Sequence, residues 1–148
     1  LDLDVTKNEA LNERDYGSLV SQNKYEAAEN YGKDMVQKWR RSYDIPPPQG
    51  ESLKMTLERT VPYFKSNIFP LLSNNKTVII SAHGNSIRSI VMYLLSVSTE
   101  DILKTEIGWC EPWIFEFNES GDVVNLDIEN LSEKNSDSHI PEKYHVRK

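Results

Sequence analysis

The segment Thr77-Val78-Ile79-Ile80-Ser81-Ala82-His83-Gly84-Asn85-Ser86 decides the fold, together with the helical pattern that follows it. Its first half is a short β-branched run, which is typical of a buried strand. Apolar residues then recur at 87, 90, 91, 94 and 95, the spacing of one helix face. The sequence therefore predicts a strand that runs directly into a helix, and such junctions are common ligand-binding points in α/β proteins.

The junction itself contains one titratable side chain, His83. It lies at the carboxyl end of the predicted strand and faces a helix N-terminus, whose N–H groups and dipole attract anions. Gly84 allows a sharp turn, and Asn85 or Ser86 is a suitable N-cap. His83 is therefore either an anion-binding residue or a satisfied structural histidine. A serine-hydrolase nucleophile is not supported, because Arg88 stands where the Gly-x-Ser-x-Gly motif needs its second glycine.

The composition indicates one acidic globular domain. The 148 residues are 38% hydrophobic and 27% charged, with a net charge of −6. This charge argues against a nucleic-acid partner, although a local basic site for an anionic substrate is compatible with it. No apolar run approaches the roughly 18 residues that span a membrane. The single cysteine, Cys110, can form neither an internal disulfide nor a thiolate metal site, which suits a reducing, cytoplasmic compartment.

Periodicity and capping residues predict the other elements. Helices are expected over residues 24–31, 33–41, 53–71 and 99–104, with a kink at Pro62 and a bend or end at Pro70. Strands are expected over 113–117 and 123–128, joined as a hairpin. Residues 132–148 form a polar tail that we expect to be mobile, and its His139 and His145 are expected to be exposed.

Two charged clusters have alternative interpretations. The segment from Leu11 to Gly17 is either a substrate loop that offers a carboxylate, a guanidinium and a phenol, or a solvated turn. Arg40 and Arg41 end a predicted helix, where cations complement the helix dipole. Two adjacent guanidinium groups are equally suited to clamping a phosphate or carboxylate by bidentate bonds.

Five short motifs follow one another in an order found in a known family. They are Leu11-Asn12-Glu13-Arg14 with Tyr16-Gly17; Asn23-Lys24; Trp39-Arg40-Arg41-Ser42-Tyr43-Asp44 with Pro46-Pro47-Pro48; Gly50-Glu51-Ser52-Leu53; and Ala82-His83-Gly84-Asn85-Ser86 with Arg88. Over about residues 9 to 117 the chain resembles the cofactor-dependent phosphoglycerate mutases of the histidine phosphatase superfamily. Joint agreement of five motifs is far more specific than any one of them.

The resemblance implies both a fold and an activity. The fold is a three-layer α/β/α arrangement, with a mostly parallel sheet flanked by helices, here without its first part. The activity is the interconversion of 3-phosphoglycerate and 2-phosphoglycerate in glycolysis. Such enzymes act on a small phosphorylated substrate through a phosphorylated histidine that 2,3-bisphosphoglycerate primes, and they need no metal. Whether the protein is a homo-oligomer is left open.

The resemblance also assigns roles by position in the motifs. Glu13 would be the general acid and base at the substrate hydroxyl, and His83 the second active-site histidine. The substrate carboxylate and phosphates would be bound by Arg14, Tyr16, Lys24, Arg40, Arg41, Gly84 and Asn85. The chemistry of these residues agrees, since phosphoryl transfer depends on cationic and N–H donors placed at the moving oxygens.

Two departures from the family pattern keep alternatives open. The family's phosphorylated histidine lies in an Arg-His-Gly motif, which this chain lacks. We therefore expect residues 1–131 to be the C-terminal part of a single mutase-like domain whose first segment precedes Leu1. Gly108-Trp109-Cys110 stands where the family has a Pro-Thr-Gly turn, which favours a phosphomonoester phosphatase as one alternative. A non-catalytic phosphate-binding or interaction protein is the other, because the nucleophile is missing.

Overall fold

A computed structural model of the chain describes residues 3–74, 76–129 and 138–146. Its helices are α1 (Lys24–Tyr31), α2 (Lys33–Arg41), α3 (Leu53–Tyr63), α4 (Phe69–Ser73), α5 (Gly84–Leu95) and α6 (Thr99–Ile102). Its strands are β1 (Trp113–Phe117) and β2 (Val123–Ile128). A π-helical segment, Phe64–Ile68, joins α3 to α4, and 3-10 turns cover Glu9–Leu11, Gly17–Leu19 and Glu142–Tyr144.

Helices α1 and α2 are set by local capping. The Asn23 side chain accepts bonds from the backbone of Tyr25 and Glu26, and the Glu26 carboxylate accepts the Asn23 N–H, which completes a capping box. Gly32 separates the two helices and has a φ of 82°, a backbone conformation that residues with a Cβ rarely adopt. Trp39 of α2 packs in a small hydrophobic cluster with Ala27 of α1. The predicted bounds of both helices are confirmed.

The longest helical stretch runs from α3 through the π-helical segment into α4. Ser52 caps its beginning by accepting the Met55 N–H at 3.2 Å. Pro62 lies inside α3 and Pro70 lies in the first turn of α4. Because each proline removes one N–H donor, the regular ladder is interrupted twice. The five-residue π-helical segment lies between these two interruptions.

The segment before α5 differs from the prediction. Residues 77–83 alternate between exposed and partly buried positions, as in a strand, and Ile79 is 79% exposed. Val78 and Ile80 pack against a core cluster that includes Phe64 and Ile90. The predicted strand is nevertheless wrong for the part of the chain that the structure describes, because a strand is defined by pairing and no described segment pairs with this one.

The sheet is a two-stranded antiparallel hairpin. Trp113 lies opposite Ile128 and Phe115 opposite Leu126, with an irregularity at Phe117. The predicted hairpin is confirmed. The mostly parallel sheet is not formed within residues 3–74, 76–129 and 138–146, where β1 and β2 are the strands present.

The C-terminal segment of residues 138–146 packs on the domain. Ile140 is buried in a cluster with Leu53, Val91 and Ile102. His139 forms an antiparallel bridge with Glu106 through two backbone hydrogen bonds. Both His139 and the other tail histidine are exposed, as expected. The mobility predicted for residues 132–148 stays a prediction, and residues 130–137 lie outside the described residues.

Candidate active site

The Glu13 carboxylate lies on the N-terminal turn of α5. Its Oε1 accepts the backbone N–H of Asn85 at 3.2 Å and that of Arg14 at 2.6 Å. A Cβ placed on Gly84 would lie 4.0 Å from Glu13 Oε2. Free N–H groups and the helix dipole stabilise a negative charge at this position. The fold thus brings Glu13, from a loop 70 residues earlier in the chain, against the turn that follows His83.

Contacts from α5 hold this loop in place. The Ser86 hydroxyl is fully buried and donates to the Leu11 carbonyl at 3.0 Å. The Asn85 side chain donates to the Tyr16 hydroxyl at 3.2 Å. Glu13, Tyr16 and Asn85 are therefore joined in one hydrogen-bonded group.

Arg14 is buried and satisfies backbone carbonyls. Only 4% of the residue is exposed. Its Nε donates to the Glu51 carbonyl and its Nη2 to the Trp39 carbonyl, both at 2.6 Å. Its guanidinium carbon also lies 5.1 Å from the centre of the Tyr16 ring. Burial lowers the pKa of Arg14. Electrostatic interactions with Tyr16 and, to a smaller extent, Glu13 partly oppose this shift.

His83 is exposed to solvent and precedes the turn that holds Glu13. Its backbone N–H donates to the Ser86 hydroxyl at 3.2 Å, which fixes the start of α5. The backbone of His83 is extended, and the chain enters the helix at Gly84. An exposed imidazole beside a helix N-terminus is accessible to a dissolved anion.

The predicted basic residues of α1 and α2 are held differently. Arg41 Nη1 lies 3.4 Å from Glu106 Oε1, and both side chains are largely exposed. Arg40 is exposed and forms no ion pair among the described side chains. Lys24 begins α1, but its side chain lies outside the described part of the structure. The structure therefore brings together Glu13, Arg14, Tyr16, Gly84 and Asn85, and in the described part of the chain Arg40 forms no ion pair with this group.

Arg88 is a candidate that the predicted set of site residues lacks. Its Nη2 lies 3.2 Å from Glu106 Oε2, and its side chain is 17% exposed. Its Nε is buried without a hydrogen-bond partner among the described atoms. Burial lowers the pKa of Arg88, and the nearby Glu106 carboxylate opposes this shift. One sequence signal was available, since a position four residues after Gly84 lies on the same helix face.

One pocket borders Glu13. It has a volume of about 370 Å³, and its lining includes the acidic residues Glu9, Glu13, Asp15 and Glu51 together with Arg59. This excess of carboxylates disfavours an anion in the pocket. A larger pocket of about 410 Å³ lies beyond the last turn of α5, against the C-terminal segment.

Residues 3–74, 76–129 and 138–146 contain neither a cluster of metal ligands nor a membrane-spanning helix. No group of three histidine, cysteine, aspartate or glutamate side chains is arranged to hold a metal ion there. No helix in these ranges combines the length and apolar character needed to cross a membrane.

Comparison with known proteins places these residues in context. A sequence model of the histidine phosphatase superfamily (branch 1) matches residues 1–128. The 2,3-bisphosphoglycerate-dependent phosphoglycerate mutase of Parvibaculum lavamentivorans is 50% identical over 127 residues, which are 86% of this chain and 60% of that protein. The corresponding mutase 1 of Arabidopsis thaliana is 50% identical over 124 residues, 78% of this chain and 37% of that protein.

The fold is also similar to solved structures. The native structure of a mycobacterial glucosyl-3-phosphoglycerate phosphatase aligns with a TM-score of 0.65 and 18% identity, covering 84% of this chain and 64% of that one. At this identity the likeness shows the fold alone. Together with the family match, this likeness gives the chain a histidine-phosphatase-type α/β fold. The chain spans about 60% of the length of the Parvibaculum relative.

Proposed function

The chain belongs to the histidine phosphatase superfamily, and from that premise we propose that the full-length protein interconverts 3-phosphoglycerate and 2-phosphoglycerate. The observation that carries the proposal is the Glu13 carboxylate on the N-terminal turn of α5, next to His83. A proton-transfer group and an anion-binding turn in contact are what this reaction needs. The 50% identity to the Parvibaculum mutase supports the same assignment.

The site residues divide the work between proton transfer and charge stabilisation. When the substrate hydroxyl attacks the phosphorus of the phosphorylated histidine, the new O–P bond forms as the P–N bond breaks and the imidazole leaves. Glu13 accepts the hydroxyl proton in this direction and returns it in the reverse direction. His83 and the turn at Gly84 stabilise the negative charge of the transferred phosphoryl group. Arg41, with Lys24 and Arg40, binds the substrate carboxylate and phosphate.

The chain spans about 60% of the length of the Parvibaculum relative. We propose that the full-length protein has a further segment before Leu1, which carries an Arg-His-Gly histidine as nucleophile that 2,3-bisphosphoglycerate primes without a metal. Its first strand would pair with residues 77–81 and build the parallel sheet. The alternating burial of those residues supports this placement, as does the lack of a strand partner for them among the residues that the structure describes. A cytoplasmic location agrees with the free thiol of Cys110.

A phosphomonoester phosphatase is the second candidate. The turn at Gly108-Trp109-Cys110 is the observation that favours it, because Trp109 is 95% exposed and Cys110 has a φ of 57°. A bulky exposed side chain in this loop would change the entrance of the site. In a phosphatase, water rather than a second substrate hydroxyl would accept the phosphoryl group.

The test is an assay of the full-length protein primed with 2,3-bisphosphoglycerate. We expect interconversion of the two phosphoglycerates, and we expect His83→Ala to lower turnover by about 100-fold or more. Because His83 is exposed, the His83→Ala variant should have the same urea unfolding midpoint as the wild type. The control is His139→Ala, an exposed histidine of the C-terminal segment, which should retain wild-type turnover.

Three outcomes would contradict the proposal in different ways. Release of inorganic phosphate from several phosphoesters without interconversion would identify a phosphatase. Binding of 3-phosphoglycerate without any turnover would identify a non-catalytic binding protein. Wild-type turnover in His83→Ala would refute the role of that histidine while leaving the activity itself intact.

A further inference from the structure

One guanidinium group on α3 holds the loop that carries Glu13. Arg59 Nη1 donates to the Ala10 carbonyl at 2.9 Å. Its Nη2 donates to the carbonyls of Asn12 at 3.1 Å and of Glu13 itself at 3.0 Å. Buried or partly buried carbonyls need such donors, since this loop has no sheet or long helix to satisfy them. Arg59 therefore satisfies three of the carbonyls that a backbone ladder would satisfy in a regular element.

The Glu51 side chain fixes the position of this guanidinium. Its two carboxylate oxygens lie 2.8 Å from Arg59 Nε and 2.9 Å from Arg59 Nη2, a bidentate pair. The same carboxylate accepts the Asp15 N–H at 3.1 Å, and the Glu51 backbone N–H donates to the Asp15 carbonyl at 2.7 Å. The pair thus contacts the loop on both sides of Glu13.

The arrangement depends on the shape of arginine and not only on its charge. Both side chains are partly buried, 26% exposed for Arg59 and 21% for Glu51. A planar fork with five N–H donors can reach a carboxylate and several carbonyls at once, whereas a lysine ammonium is a point charge with three donors. The bonds from Arg59 lower the pKa of Glu51, so the pair stays charged while protons move elsewhere in the site.

We propose that Arg59, fixed by Glu51, is the positioning residue of Glu13 and keeps its carboxylate on the N-terminal turn of α5. This inference rests on the function proposed above, in which Glu13 transfers the proton. Arg59 acts through the backbone of Glu13 and Asn12 and does not touch the substrate. Because a reacting group must be held within about 0.5 Å, loosening the loop should slow the chemical step more than it weakens binding.

A neighbouring contact supplies a matched control. The Thr60 hydroxyl donates to the Ala10 carbonyl at 2.9 Å, from the residue after Arg59 and on the same helix. It anchors the loop three residues before Glu13. Thr60→Val removes this anchor at nearly constant volume and leaves the bonds of Arg59 to Asn12 and Glu13 in place.

The experiment compares Arg59→Lys, Glu51→Gln and Thr60→Val in the full-length protein. We expect Arg59→Lys and Glu51→Gln to lower kcat by about 10- to 100-fold while KM for 3-phosphoglycerate changes by less than about threefold. Thr60→Val should lower the urea midpoint but keep kcat within about threefold of wild type. In Arg59→Ala, added guanidinium chloride below denaturing concentration should restore part of kcat, and methylammonium chloride should not.

The outcomes separate this inference from the proposed function. If the wild-type protein does not interconvert the phosphoglycerates, the proposed function fails. If the wild type is active, the inference is overturned when the folded Arg59→Lys and Glu51→Gln variants keep wild-type kcat. It is also overturned when Thr60→Val loses as much kcat as they do. Should Arg59→Lys not fold, the kcat and KM of Glu51→Gln decide.

Discussion

Two groups of basic residues, Arg14 in the loop of Glu13 and Arg40 with Arg41 at the end of α2, are held in opposite ways. Arg14 is almost completely buried and donates to two backbone carbonyls. Arg40 and Arg41 end α2 in solvent, and the ion pair of Arg41 is with the exposed Glu106. The loop of Glu13 is thus tied to two other segments of the chain, whereas the arginine end of α2 is open to solvent.

The difference follows from where each residue lies in the chain. Arg14 comes from a loop that is bonded to the segment before α3, and it reaches the Trp39 carbonyl near the C-terminal end of α2. Carbonyls in the last turn of a helix have no partner within the helix. Arg14 therefore closes α2 and connects it to the Glu51 carbonyl before α3. The substrate-binding role predicted for Arg14 stays a prediction.

The largest expected effect concerns the buried Arg14. Arg14→Met should lower the free energy of unfolding by about 3 kcal/mol, because two charge-assisted bonds are lost and two carbonyls are left without that donor. The measurement is urea unfolding followed by circular dichroism. The control is Arg40→Met, the same change on an exposed side chain of α2, which should shift stability by less than about 0.5 kcal/mol.

Equal effects of these two substitutions would remove the contrast between the two regions. A small effect of Arg14→Met would mean that its bonds to Trp39 and Glu51 contribute little beyond what water supplies. A large effect of Arg40→Met would mean that the end of α2 is as firmly held as the loop.

A smaller effect concerns pH and the Glu51–Arg59 pair. The bonds from Arg59 hold the pKa of Glu51 below its usual value of 4.5. A carboxyl group whose folded-state pKa is depressed contributes stability that is fully present above its unfolded-state pKa and is lost as pH falls through the folded-state pKa. Glu51→Gln should therefore cost about 1 to 2 kcal/mol at pH 7, and the cost should shrink progressively below about pH 4.5.

Urea unfolding at a series of pH values from neutral to acid measures this dependence. The control is Glu29→Gln on α1, an exposed carboxylate whose replacement should change stability little at any of these pH values. A cost of Glu51→Gln that is constant across the series would contradict the assignment of a charged, clamped Glu51.

The parts of the fold that the sequence predicts correctly are those with local signals. Asn23 with Glu26 defines the start of α1, Ser52 the start of α3, and Gly121 lies in the turn of the hairpin. Each signal acts over a few residues, so a pattern in the sequence is sufficient to find it. The segment of residues 77–81 has an equally clear pattern, but a strand needs a partner, which no local pattern supplies.

The site shows the same limit for side chains. The structure brings Glu13, Tyr16, Gly84 and Asn85 together, four residues that the resemblance assigns to one site, and the roles predicted for them stay predictions. The role of Arg59 could not be predicted, since it contacts carbonyls 46 to 50 residues away in the chain. Backbone carbonyls occur at every residue, so no residue type marks the acceptor.

The smallest expected effect concerns Glu106, which pairs with Arg41 at the exposed end of α2. The Glu106 carboxylate bridges Arg41 at 3.4 Å and Arg88 at 3.2 Å, and its side chain is 49% exposed. Ion pairs this exposed contribute little, so Glu106→Gln should change the free energy of unfolding by less than about 1 kcal/mol.

The Glu106→Gln substitution also removes a negative charge that would compete with an anionic substrate for the same two guanidinium groups. KM for 3-phosphoglycerate should therefore fall by about two- to fivefold with kcat unchanged. The steady-state comparison should include Glu129→Gln as an exposed carboxylate next to β2, whose KM should stay at the wild-type value. A rise in KM for Glu106→Gln alone would show that Glu106 holds Arg41 and Arg88 in a binding geometry, and that the end of α2 is as prearranged as the loop of Glu13.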